Sequence, residues 1–89
     1  MNKVYKALSD PTRRKILELL RKRDMAAGEI AKHFDMTKPS LSKHFVVLKE
    51  ADLIRGVKNG TTIMYGLNVS VLEEALLALM STFKVQRRN

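Results

Sequence analysis

Between residues 26 and 67 the hydrophobic spacing changes from a helical to an alternating period, which narrows the folds open to the chain. Ala26-Ala27-Gly28-Glu29-Ile30-Ala31 opens a short helix over about 27–34, with Ile30, Ala31 and Phe34 inward. Glu29 stands where a capping-box acid belongs, but Ala26 has no acceptor to complete the box. Asp35-Met36 makes a tight turn, with Asp35 suited to a left-handed backbone. Thr37 then caps a second helix. Pro39 lacks an amide donor, so the Thr37 hydroxyl is expected on the Ser40 amide. Leu41, Phe45 and Leu48 recur at helical spacing as its core stripe, and it ends near Asp52. Residues 54–67 fold back around Asn59-Gly60, a pair suited to a type I′ turn. Two-residue closure pairs Lys58 with Thr61, Gly56 with Ile63 and Ile54 with Tyr65. That register points Ile54, Ile63 and Tyr65 at the core and puts Arg55 and Met64 on the other face.

The flanks read as helices. Residues 2–8 place Val4, Ala7 and Leu8 on one side. Asp10 caps the next helix, where Pro11 at the first position loses no needed hydrogen bond. Ile16, Leu17 and Leu20 form its buried stripe, and Arg14, Glu18, Arg21 and Lys22 face out. The last helix, about 70–86, is apolar over more than one stripe, and 84–89 is expected to fray. The surplus implies a second partner, most simply the same helix of another subunit. Leu72, Leu76, Leu79, Met80 and Phe83 would meet there, with help from Val4 and Leu8.

The predicted fold is mainly α with a small β-hairpin: a winged helix-turn-helix of four helices, two strands and a closing helix. It forms a single domain over 1–89. The helix-turn-helix lies at about 27–52, the wing at about 53–67, and the dimerisation helices at about 2–8 and 70–86. At 89 residues the core is small, so a partner subunit would add stability.

Seventeen Lys and Arg against nine Asp and Glu give a net charge of +8, which favours nucleic acid or an acidic membrane surface. Lys3, Lys6, Arg13, Arg14, Lys15, Arg21, Lys22 and Arg23 crowd the first helices, but such runs ordinarily coat solvated faces. With no cysteine, disulfides, thiolate metal sites and cysteine nucleophiles are excluded. No apolar run approaches bilayer length and no signal-like segment opens the chain, so a soluble, cytoplasmic protein is expected.

Catalysis is not expected. Ser42 and His44 diverge by about 200° on one helix, Glu73 and Glu74 also diverge, and no glycine-rich phosphate loop exists. No cofactor is implied. His33 and His44 lie on different helices without ligand spacing, and Met25, Met36, Met64 and Met80 read as core or gap-fillers.

A core on Leu41, Phe45 and Leu48 leaves Pro39, Lys43 and Val46 centred on the exposed face, flanked by Ser40, Ser42 and Val47. Lys38 projects from the first turn. In helix-turn-helix proteins these turns approach base edges. Lys38 and Lys43 suit guanine O6 and N7 or phosphates, and Ser42 suits either partner. Ser40 either joins them or closes the helix start. In the wing, Lys58 and Asn59 reach the flanking minor groove or backbone, with Arg55 nearer the base. Double-stranded DNA is therefore the expected partner. Two subunits would read an inverted-repeat operator with half-sites about 34 Å apart. A winged-helix module binding an acidic protein, or a metal-responsive repressor with a non-standard site, remains open.

The chain resembles the ArsR family of bacterial repressors over about residues 3–85. The likeness rests on Leu8-Ser9-Asp10-Pro11-Thr12-Arg13-Arg14-Lys15-Ile16-Leu17, on Gly28-Glu29-Ile30-Ala31, and on Lys38-Pro39-Ser40-Leu41-Ser42-Lys43-His44. Leu48-Lys49-Glu50-Ala51-Asp52-Leu53-Ile54 and Gly60 through Tyr65 to Leu67 complete it. The resemblance implies a homodimeric winged-helix repressor, dimerised through its first and last helices, that blocks transcription until an inducer or anti-repressor releases it. Within the family it is most similar to the metal-independent, SdpR-like autorepressor branch. Metal-sensing relatives carry cysteines where this chain has Met25-Ala26-Ala27-Gly28. Others carry histidine ligands in the last helix, where this chain has Glu73 and Glu74 but no histidine. Val46 occupies a position where relatives often place a polar or basic residue.

Overall fold

A computed structural model describes residues 2–84. The elements run α1 (Asn2–Leu8), α2 (Pro11–Lys22), β1 (Met25–Ala26), α3 (Ala27–Ala31), α4 (Lys38–Glu50), β2 (Ile54–Asn59), β3 (Thr62–Leu67) and α5 (Val69–Thr82). Asp10 caps α2 as expected, accepting from the Arg13 amide at 3.0 Å. The arginines behind it have a structural task that charge counting misses. Arg13 donates to the carbonyls of Lys6 (2.8 Å) and Ala7 (2.9 Å), and Arg14 to that of Leu8 (2.8 Å). They bond the last carbonyls of α1, that of Lys6 shared with Ser9, and tie its end to α2.

Ile16, Ile30, Leu48 and Leu53 are fully buried and join α2, α3 and the end of α4 in one core. Each contributes roughly 1.5–3 kcal/mol by leaving water. Leu19 is buried too, which widens the α2 stripe beyond Ile16, Leu17 and Leu20. α3 is shorter than expected: it closes at Ala31, and the His33 and Phe34 amides make three-residue turn bonds instead.

The left-handed step falls at Asp52 (φ 59°), after α4, and not at Asp35 before it. The Leu53 amide reaches the Leu48 carbonyl and the Asp52 amide reaches that of Lys49, both at 3.0 Å. This is a Schellman ending, and it needs the left-handed step where the chain turns Leu53 into the core.

The sheet has three antiparallel strands in the order β1-β3-β2, one more than the hairpin expected. Met25 pairs with Tyr65 and Ala26 with Met64, so the residues preceding α3 are stitched to the wing. The hairpin register is also corrected. Asn59 pairs with Thr62, Gly56 with Tyr65 and Ile54 with Leu67, leaving Gly60-Thr61 in the loop. Only Gly60 of that loop has positive φ (+67°), as a type II′ turn requires, and Asn59 remains in the strand. The slide is two residues, so side chains keep their faces and Ile54 and Tyr65 still point inward. Ile63 does not reach the core. It is 46% exposed, out along the projecting hairpin, where its methyl lies over Gly56. A β-carbon at Gly56 would come within 2.9 Å of Ile63 and 3.2 Å of the Tyr65 ring.

α5 starts at Val69 and ends at Thr82, and Phe83 and Lys84 form a turn. The expected helical end at 85–86 and the fraying of 85–89 lie outside the described residues. Ala75 is fully buried, and Val71 and Leu72 pack on the core. Leu76, Leu77, Met80 and Phe83 are exposed, while Leu8 and Leu79 are half-buried. Val4, expected at a subunit contact, is buried in the chain's own core. No helix among the described residues is long and apolar enough to cross a membrane.

Candidate nucleic-acid interface

Thr37 starts α4 as the sequence predicts, its hydroxyl oxygen accepting from the Ser40 amide at 3.3 Å. The same hydroxyl donates to the Ser40 oxygen at 2.9 Å, which leaves the Ser40 hydroxyl proton free for an outside acceptor. Leu41, Phe45 and Leu48 are buried, so the opposite face of α4 is turned to solvent. Lys38, Ser40, Ser42 and Lys43 are all exposed on the first turns. Among the described residues neither lysine makes an ion pair. No acid occurs from Met36 to Lys49, or from Leu53 to Leu67, so positive charge dominates the helix face and the hairpin, while the Asp24 carboxylate lies against Gly66 at the wing base.

The wing is held to this helix by one aromatic contact. Tyr65 of β3 stacks on Phe45 of α4, with centroids 5.2 Å apart and planes at 9°. Arg55, Lys58 and Asn59 are exposed on β2, on the hairpin that this stack anchors. Lys49 was not singled out from sequence. Its ammonium lies 5.8 Å from the Tyr65 ring centroid, and it is also exposed. Its spacing of eleven residues, three helical turns, from Lys38 was the available signal.

His44 faces inward on the opposite flank. Its Nδ1 meets a guanidinium nitrogen of Arg13 at 3.2 Å and lies 3.8 Å from Asp10 Oδ2. Arg13 keeps its protons, so in the neutral ring Nδ1 is the acceptor, and the longer Asp10 approach is not a hydrogen bond. Burial pushes the Asp10 carboxyl up, but the Arg13 amide, the pull of the His44 ring in its protonated form and the charge of Arg13 outweigh it and hold the carboxyl below its ordinary range. Through Arg13 this cluster joins the end of α1, the start of α2 and the middle of α4. At α3, Glu29 accepts from the Ala26 amide at 3.1 Å and from Arg23 at 2.9 Å, and both contacts lower its affinity for a proton. Among the described residues no group of three His, Asp or Glu side chains is placed to hold a metal.

A helix-turn-helix domain family matches residues 8–57. The chain is 53% identical over 76 residues to the transcriptional repressor SdpR of Bacillus subtilis (strain 168), across 85% of this chain and 84% of that protein. It is 37% identical over 73 residues to an arsenical resistance operon repressor of Staphylococcus xylosus, across 82% of this chain and 70% of that protein. An ArsR-like transcriptional regulator from Rhodococcus sp. RHA1 superposes with a TM-score of 0.83 at 29% identity, over 93% of this chain and 78% of that one. A second solved ArsR family transcriptional regulator gives 0.76 at 30% identity, over 97% and 92%. These relatives are transcriptional regulators by name. With a basic helix face presented beside a pinned wing, the chain belongs to the ArsR family of winged helix-turn-helix transcriptional repressors, which bind DNA.

Proposed function

We propose that two copies of this chain pair through α5, with α1 beside it, and lay their α4 helices into successive major grooves of an inverted-repeat operator, silencing transcription there without a metal. The exposed, unpaired cationic face of α4 beside the Tyr65-anchored wing carries this reading. Lys38 and Lys43 take guanine edges or phosphates, Ser40 and Ser42 add hydroxyl contacts, and Arg55, Lys58 and Asn59 hold the flanking backbone or minor groove. The exposed Leu76, Met80 and Phe83, with Leu72 and Leu79 beside them, supply the subunit contact, and Leu8 closes its edge. Val4 supports that surface from beneath. The protein works in the cytoplasm, where an inducer or an anti-repressor protein relieves repression.

The double substitution Lys38→Ala with Lys43→Ala separates DNA reading from protein association. Binding to a duplex selected from random DNA should collapse while the sedimentation coefficient stays that of a dimer. Unchanged operator affinity would show that α4 is not the reading helix and that its basic face serves an acidic protein instead.

A further inference from the structure

Val46 is 48% exposed, the large apolar side chain of α4 that its own core leaves in water. It stands four residues after Ser42, three after Lys43 and three before Lys49, among the polar groups of the DNA-facing side. From Lys38 it lies about 12 Å along the axis, within the part of the helix that a major groove receives. It also forms the lip of a groove of about 350 Å³ between α3 and α4, whose walls include Ala27, Ala31 and Leu41. Its methyls are therefore continuous with a sheltered apolar surface.

The chemistry of the major groove narrows what can face such a group. Guanine O6 and N7, adenine N7 and N6, cytosine N4 and thymine O4 all need a hydrogen-bonding partner or water. Against any of them valine would displace water and offer nothing in exchange. The exception on the groove floor is the 5-methyl of thymine. We infer that Val46 is a specificity residue that contacts the 5-methyl of one thymine in each half-site, so that the operator carries an A·T pair there. This rests on α4 being the groove-reading helix.

The test uses the full chain and a duplex selected from random DNA. Each thymine is replaced in turn by 2′-deoxyuridine, which removes the methyl and leaves the hydrogen-bonding edge intact. The wild-type chain should lose about fourfold in affinity at one thymine per half-site, the worth of one buried methyl. Val46→Ala should bind the thymine and uridine duplexes equally and still recognise the rest of the site. Because Val46 is exposed, the variant keeps its core, which circular dichroism checks. The assignment is overturned if no uridine weakens the wild type, or if Val46→Ala keeps the same uridine sensitivity. A chain that enriches no duplex at all removes the reading of α4 itself, and this contact with it.

Discussion

The Asp10 carboxylate closes the start of α2 on the Arg13 amide and faces His44 of α4, while Glu29 ties the start of α3 to Ala26 and Arg23. Both carboxyls bind protons less readily in the folded chain than in the unfolded one, Asp10 despite its burial and Glu29 chiefly through the Ala26 amide. The stability they contribute is therefore complete above the ordinary carboxylate range. It is lost as pH falls through their depressed folded values. The melting midpoint should be flat near neutrality and drop below about pH 4. Asp10→Asn keeps a capping acceptor but not the charge, so it should melt below wild type at pH 7 and converge with it in acid, giving a shallower acid loss. A wild-type acid slope in that variant would reject the argument. At Ala26 the missing half of the capping box is an opportunity, because the position has extended backbone (φ −73°, ψ 157°) and no side-chain acceptor. Ala26→Thr should add about 1 kcal/mol, read as a rise of roughly 5 °C in melting midpoint. An unchanged midpoint would mean that the start of α3 gains nothing from a hydroxyl.

At the scale of elements, α4 and the wing act together because Phe45 and Tyr65 stack between them. On the proposed reading the helix carries the base-reading groups and the hairpin tip the flanking contacts, so their mutants should differ in kind. Lys58→Ala should weaken binding about equally across operator variants and flatten the salt slope by about one per subunit. A change in sequence preference instead would place Lys58 against bases. Periodicity made this arrangement largely legible. Once Leu41, Phe45 and Leu48 are core, Lys38, Ser42 and Lys43 must face out, and they do. What the residues did not disclose depends on tertiary partners. The two residues of β1 are held to β3 by backbone bonds that leave no side-chain pattern. Asp35 and Asp52 tolerate a left-handed step equally well, and only the burial of Leu53 selects the second. The hairpin slid by two residues because Gly60 alone satisfies a type II′ turn, and only a one-residue slip would have exchanged the faces. Lys49 lies over the ring of Tyr65, a residue sixteen positions away, a proximity that helical spacing alone does not reveal.

At the scale of the molecule, the exposed apolar surface of α5 and the charge of α4 make linked demands. Val69, Leu76, Met80 and Phe83 follow a helical stripe, and each is at least 40% exposed in the single chain. A patch of that kind is kept from aggregating by being covered, and the twofold partner proposed above would cover it while duplicating α4. Leu76→Glu, at 47% exposure, should leave the fold intact but place a charge in that contact. The variant should sediment as a monomer at about 10 µM and lose on the order of a hundredfold in affinity for an inverted repeat, because the second α4 is no longer tethered. Salt dependence then distinguishes lost pairing from a damaged reading helix. With about four phosphates neutralised per subunit, the wild-type dimer should show a slope of log affinity against log salt near −7, and the monomeric variant about half that on a single half-site. A variant that stays dimeric, or a monomer that keeps the full slope, would place the pairing surface elsewhere than on α5.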